Sequence, residues 1–321
     1  MGKIIAGIPS NRPELCKKAV EAWRATGQFH EIWVMWDGQK DLAYQVALAM
    51  ELEGSGNTRI FVQDPNLSCI PTGSGCCRSR LVLEAWKDPD VEWIVHLDDD
   101  VMPSRGNWQH ELRTPRHWTA RWQSVSLDFG FPTRGLPYST AREERLPKLV
   151  HGIWCGIPDV DAINQLAWPG DPRPAFDPKS ICMTYARYFT MSSMAVAIHR
   201  DLFPASYFLW MGKDLPLNKF GDIWCGVILK RICDHFGWLV TSGAPVVYHE
   251  RASNVWENLR QECKCIEENE HFWEWVDAVD LSLCATVSQC YRRIAEGMYM
   301  PPEPRFKELR EKMLSWISEF D

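Results

Sequence analysis

The chain has 321 residues, which suits one α/β domain with an elaborated C-terminal part better than two full domains. Its 45% hydrophobic content is enough to bury a sizeable core, and its net charge of −7 argues against bulk attraction to duplex DNA. Twelve cysteines without a CxxC pair disfavour a zinc ribbon or a thioredoxin-type motif. They fit buried, reduced thiols of a cytoplasmic protein. The N-terminus reads straight into a strand rather than a leader, and no apolar run reaches the ~20 residues of a membrane-spanning helix.

Lys3–Ile8 reads as a buried strand ending at Pro9, and Glu14–Thr26 has helical spacing through Leu15, Ala19, Ala22 and Trp23. Glu31–Trp36 is a second strand, stopped by the turn dipeptide Asp37-Gly38. Leu42–Leu52 is expected to be helical, Arg59–Gln63 a third strand, Cys76–Trp86 a helix and Trp93–Leu97 a fourth strand. Such alternation means parallel strands joined by crossovers, with ligands bound beyond the carboxyl ends of the strands. Gly106 to Lys179 is rich in Pro, Arg and Trp and reads as loops and short elements around a site. Regularity returns with Phe189–Ile198 and with a helix over Asp222–Phe236, which Asp222 can cap and Gly237 can end. Val246–Tyr248 reads as another strand, and Pro301–Phe320 as an amphipathic helix.

The most informative stretch is the apolar strand that runs from Val91 to Leu97 and delivers Asp98, Asp99 and Asp100 at its end. Adjacent carboxylates repel, and one would keep its proton unless a cation sits among them. A hard divalent ion, Mg²⁺ or Mn²⁺, removes the conflict and can also hold phosphate oxygens. His249, which follows the strand Pro245–Tyr248, is a further candidate ligand.

Several segments, in order and spacing, resemble one family over most of the chain, from about Ile4 to Trp316. They are Ser68-Cys69-Ile70, Cys77-Arg78, the strand end Leu97–Asp100, and the run from Arg134 to Ser139. With them come HGIWCGIPDVDA from His151 to Ala162, Asp222–Gly226 running into Ile232–Gly237, and His249–Asn254 with Asn258-Leu259. These segments resemble the reversibly glycosylated polypeptides, or UDP-arabinopyranose mutases, which have a GT-A glycosyltransferase fold.

The resemblance implies a GT-A, Rossmann-like, mostly parallel sheet flanked by helices in a single catalytic domain. Residues 1–104 would be its nucleotide-binding βαβ part, 105–260 its sugar and acceptor part, and 261–321 a C-terminal helical extension. It also implies a UDP-sugar substrate and a divalent metal at Asp98, Asp99 and Asp100, with His249 as a further contact. Pro9, Ser10, Arg12 and Asp37 would line the nucleotide pocket, joined by Arg78, Asp98, His151 and Trp154. Arg134 matches the family arginine linked to sugar attachment; where the family has a second arginine this chain has Ala141, with Arg142 one place on.

Breaking a UDP–sugar bond leaves negative charge on the phosphate and positive charge on the sugar. A carboxylate near the anomeric carbon can steady that cation or act as a base. Asp222 is the first candidate, with capping of its helix the competing role, and Asp159 and Asp161 come next. Arg78 follows Gly73-Ser74-Gly75 at a helix start, a ready anion site. Two activities stay open. One is a mutase that rejoins both halves with the ring changed. The other is a transferase to an outside acceptor: a protein arginine, or a hydroxylated base in DNA. The stretch Arg113–Trp122 motivates the DNA acceptor by interleaving basic and aromatic groups, although its tryptophans could equally be core. No membrane partner is expected, and a homo-oligomer is compatible with the sequence.

Overall fold

A computed structural model of the protein describes residues 2–37, 49, 51–52, 57–62, 74–118, 122, 134–139, 143–157, 159–167, 179–209, 219–250 and 254–321. The opening alternation is seen: β1 (Lys3–Ser10), α1 (Pro13–Ala25), β2 (Glu31–Trp36), β3 (Thr58–Val62), α2 (Ser74–Lys87) and β4 (Val91–Leu97). The helix expected over Leu42–Leu52 lies largely outside the described residues, within which Ala49, Glu51 and Leu52 are helical. Then come β5 (Val101–Arg105), α3 (Trp108–Arg113), a hairpin of β6 (Arg116–Trp118) and β7 (Glu143–Arg145), β8 (Pro147–Gly156) and α4 (Ala162–Ala167). The remainder is β9 (Ile181–Cys182), β10 (Ala195–His199), α5 (Gly221–Phe236), β11 (Leu239–His249), α6 (Val255–Glu262), α7 (Ile266–Asp277), α8 (Val287–Gly297) and α9 (Pro304–Ile317).

Among the described residues the main sheet has nine strands in the order β3-β2-β1-β4-β10-β8-β11-β5, with β9 on the side of β11. Strands β3, β2, β1 and β4 are mutually parallel. β10 runs against both β4 and β8, and β8 is parallel to β11. The strands β1, β4, β8 and β11 therefore point the same way, and their carboxyl ends share one edge of the sheet. The order 3-2-1-4 reverses direction between β1 and β4, which opens a crevice there.

Side chains alternate between two apolar layers, as the period of two requires. Ile4, Ala6 and Ile8 of β1 join Val34, Trp36, Val95 and Leu97 beneath α1. Ile5, Trp33, Met35 and Ile94 face the other way, toward α2, α5 and the C-terminal helices. Those helices share the same core: Trp224 of α5 stacks on Phe272 of α7 at 4.3 Å, and Trp316 of α9 stacks on Tyr207 at 5.3 Å. Among the described residues no helix is long and apolar enough to cross a membrane.

Two elements differ from expectation. The stretch Gly106 to Lys179, expected as loops and short elements, contains the ten-residue strand β8 inside the sheet. Buried on both faces, it lacks the alternation that marks a half-exposed strand. β11 is also longer than the expected Val246–Tyr248, because it crosses a register shift at Gly243, Ala244 and Pro245. Gly243 has φ of 128°, and a Cβ there would lie 2.5 Å from the Lys179 carbonyl, so Gly and Pro sit inside a strand.

Candidate functional site

The four carboxyl ends frame a cavity of 410 Å³. Ser10 comes from β1, Asp98–Asp100 follow β4, Asp159 lies just beyond β8, and His249 ends β11. The segment before β10 and the first turn of α5, with Asp222, complete the wall.

Asp99 is 2% exposed and is held from β1. Ser10 Oγ donates to its Oδ2 at 2.6 Å, and Arg12 donates through Nε at 3.1 Å and through Nη2 to Oδ1. Burial raises the pKa of Asp99, and the bonds from Arg12 and Ser10 oppose that rise. Arg12 Nη2 also reaches Asp100 Oδ2 at 3.3 Å, and Arg78 Nη2 pairs with Asp98 Oδ1. Two arginines thus supply part of the positive charge that the acid triplet requires.

His249 Nδ1 lies 2.9 Å from the Ile157 carbonyl oxygen, which can only accept, so Nδ1 carries the proton. Its Nε2 faces Asp100 Oδ1 at 4.0 Å. A histidine whose far nitrogen donates to a backbone carbonyl is oriented as metal-ligating imidazoles are. Asp98, with a side chain 29% exposed, completes an oxygen-rich set suited to a hard cation. Among the described residues, no three such donors are already drawn together as a metal cage. Asp99, engaged on both oxygens, is the least suited of the triplet to join one.

Asp37 is buried, and its Oδ1 has no partner among the described residues. Burial raises its pKa. Arg78 is 2% exposed, and its Nε and Nη1 are likewise unpartnered. Buried polar atoms without partners are rare in folded proteins. Here one is an acceptor and two are donors, and both residues line the cavity.

Asp159 opens its carboxylate to the cavity and accepts from Ser192 Oγ at 2.8 Å. Desolvation pushes the pKa of Asp159 up, the Ser192 bond and His249 oppose the rise, and Asp222 and Asp98 add to it. Asp222 is held differently. Its Oδ2 accepts from Ser193 N–H at 3.0 Å and Ser193 Oγ at 2.8 Å, and its Oδ1 accepts from Ile223 N–H at 3.0 Å.

Other expected residues fall differently. Asp222 does not cap α5 through Trp224 or Cys225: the Trp224 N–H bonds the Phe220 carbonyl, and Phe220 is the capping residue. The helix does end at Gly237, at φ of 64°. Asp161 lines the cavity but caps α4, accepting from Asn164 N–H at 3.0 Å, and such bonds outweigh burial and lower its pKa. His151 sits behind the wall rather than on it: Nε2 accepts from Ser192 N–H at 3.1 Å and Nδ1 meets Ser242 Oγ at 3.0 Å. Pro9 and Trp154 do line the cavity. Arg134 is exposed on a turn outside it, and Arg142 and the turn at Gly73 lie outside the described residues. In the basic–aromatic stretch, Arg116 pairs with Glu111 at 2.5 Å and His117 lies 3.7 Å from Glu144. Ser192, Ser193, Gln165, Lys219 and Glu262 line the cavity without having been singled out in the sequence, where no motif marks them.

Fold and cavity together define an α/β protein with an acid-lined cleft at the switch point of a 3-2-1-4 sheet. The chain belongs to the reversibly glycosylated polypeptide family, whose sequence model matches residues 8–321. It is 29% identical to a probable UDP-arabinopyranose mutase 1 of Pisum sativum, over 94% of this chain and 86% of that protein. It is also 29% identical to UDP-arabinopyranose mutase 1 of Arabidopsis thaliana, over 98% and 96% of the two chains. A crystal structure described as a mycobacterial protein aligns with 91% of this chain and 75% of its own at 10% identity and a TM-score of 0.40.

Proposed function

We propose that this protein is a UDP-sugar mutase: it breaks the bond between the β-phosphate and the anomeric carbon and rejoins the halves with the ring changed from pyranose to furanose. One observation carries the reading. A single cavity holds an acceptor at Asp37 and donors on Arg78 that have no partner among the described residues, an acid-tipped strand, and the carboxylates of Asp159 and Asp222. Membership of the family and the mutase relatives support it.

The chemistry assigns each group a task. Asp37 Oδ1 suits the N–H of a uracil ring, with Pro9 and Ser10 beside it. The free N–H groups of Arg78 suit a phosphate oxygen. Asp98, Asp100 and His249 would hold a divalent cation, Mn²⁺ or Mg²⁺, which when bound offsets charge on the diphosphate. Ring contraction takes a proton from the O4 hydroxyl as it reaches C1 and returns one to O5 as its bond to C1 breaks. Asp159, accessible and with a raised pKa, suits that transfer. Asp222, held by three hydrogen bonds, suits a fixed negative charge beside the developing cation at C1. Arg134 remains the position for sugar attachment, and its exposure suits that role.

No comparable observation favours transfer to DNA, because Arg116 and His117 face carboxylates of their own chain. Among the described residues the cysteines form no disulfide, which supports a cytoplasmic reading. Isothermal titration tests the nucleotide end. UDP binds the wild type, and Asp37→Ala weakens UDP by about tenfold or more. Equal affinity in the variant removes Asp37 from the site, and absence of UDP binding to the wild type overturns the reading.

A further inference from the structure

Two adjacent serines, 192 and 193, hold two carboxylates from different parts of the fold. Ser193 binds Asp222 at the start of α5, and Ser192 binds Asp159 beyond β8. The backbone of Ser192 is itself anchored. Its N–H donates to His151 Nε2 at 3.1 Å, so that nitrogen is bare and the ring proton sits on Nδ1. Nδ1–H then donates to Ser242 Oγ, 3.0 Å away on β11. The imidazole is 4% exposed and packs against Phe189 at 5.4 Å. At its neighbour Gly152 a Cβ would lie 2.6 Å from the Pro245 carbonyl oxygen, so β8 and β11 approach closely beside the imidazole.

We propose that His151 and Ser192 are positioning residues for Asp159: the imidazole fixes the Ser192 backbone, and the Ser192 hydroxyl fixes the Asp159 carboxylate. The proposal rests on the reading that Asp159 moves the proton at the sugar ring. The hydroxyl occupies Oδ2, which leaves Oδ1 as the oxygen to exchange a proton between O4 and O5 of the sugar. His151 touches no substrate. It transmits the rigidity of the β8–β11 pair to the segment before β10, and so keeps the carboxylate within reach of both hydroxyls. Without the hydroxyl the carboxylate rotates, while the nucleotide end of the cavity is unchanged.

The test uses the full-length protein and four variants: Ser192→Ala, Ser192→Thr, His151→Leu and His151→Asn. Interconversion of UDP-arabinopyranose and UDP-arabinofuranose is followed at steady state, and UDP affinity is measured separately by calorimetry. Ser192→Ala loses kcat by about 10- to 100-fold, with KM and UDP affinity held within about twofold. Ser192→Thr, which keeps a hydroxyl, recovers most of the loss, and so does His151→Asn, whose amide oxygen can accept the Ser192 N–H. His151→Leu combined with Ser192→Ala is no worse than the poorer single variant, because the two act as one unit. Wild-type kcat in Ser192→Ala overturns the proposal, as does a parallel loss of UDP affinity. Should His151→Leu fail to fold, the two serine variants decide alone. A wild-type protein that binds no UDP and interconverts neither sugar overturns the functional reading itself, a result distinct from an active wild type with an unimpaired Ser192→Ala.

Discussion

His249 Nε2 stands 4.0 Å from Asp100 Oδ1, across the gap between the carboxyl ends of β11 and β4. The imidazole is aimed by its Nδ1–H bond to the Ile157 carbonyl oxygen at 2.9 Å. An imidazole nitrogen and a carboxylate facing each other across this gap are both of the ligand types a divalent cation takes. Asp100→Asn and His249→Ala are therefore each expected to weaken Mn²⁺ binding to the nucleotide-free protein by about tenfold or more, read by calorimetry. Unchanged Mn²⁺ affinity in both variants removes these two residues from the cation set.

Asp99 behaves differently from its neighbour. It is 2% exposed and bonded to both Ser10 and Arg12, so it joins β1 to β4. Asp99→Ala removes the carboxylate that Ser10 and Arg12 both bind, leaving Arg12 only its contact with Asp100 at 3.3 Å, and is expected to lower stability by about 2–3 kcal/mol; the exposure of Arg12 keeps the figure below that of a fully buried pair. Urea denaturation measures it. A stability within about 0.5 kcal/mol of wild type contradicts this structural role.

His151 sets an acid limit on stability. Burial pushes its pKa down to about 4 from the ordinary 6.5. Between these values the unfolded chain binds a proton that the folded chain refuses, so acid favours unfolding. This contribution is fully present above pH 6.5 and is lost as pH falls toward 4, by about 3 kcal/mol in all. His151→Asn, which cannot titrate, flattens the fall in urea-unfolding free energy between pH 6.5 and 4 relative to wild type. Parallel curves for the two proteins contradict the assignment.

Much of this was legible in the sequence where pattern and position coincide. The strand ending in Asp98-Asp99-Asp100 is legible because apolar residues on both faces of a strand followed by charge favour a buried strand meeting a cleft over a solvated acidic turn. Asp37 and His249 follow from their places at strand ends and Ser10 and Arg12 from the family resemblance, and all four line the cavity. The sequence does not reveal what each acid is bonded to. Asp99, Asp161 and Asp222 look alike on paper. The structure separates them by their donors: an arginine and a serine for Asp99, the backbone and side chain of Asn164 for Asp161, and Ser193 for Asp222. Ser192 and His151 are 41 positions apart and meet only because β8 and β10 pair. β11 extends well beyond Val246–Tyr248 because Gly243 and Pro245, residues that normally end a strand, here mark a bulge inside one.

Lys230 and Asp234 form a buried pair on α5, with Nζ 2.5 and 2.6 Å from the two carboxylate oxygens and 3.0 Å from the Thr184 carbonyl. Asp234 also accepts from the N–H of Ala186, which has a left-handed φ of 55°, so the pair pins the turn that leads into the cavity wall. Lys230→Met with Asp234 retained is expected to cost about 3–5 kcal/mol, and the double variant Lys230→Met, Asp234→Leu much less than the sum of the two single changes. Additive losses in the denaturation cycle contradict the pairing.

A mutase takes a UDP-sugar apart and closes it again in one cavity without an outside acceptor. Purified protein incubated with UDP-arabinopyranose and Mn²⁺, and with nothing else to receive the sugar, tests this by chromatography of the nucleotide sugars against time. UDP-arabinofuranose accumulating to a fixed ratio, approached from either side, is the result expected. Free UDP and arabinose, or unchanged substrate beside a protein shown to bind UDP, contradicts the mutase account.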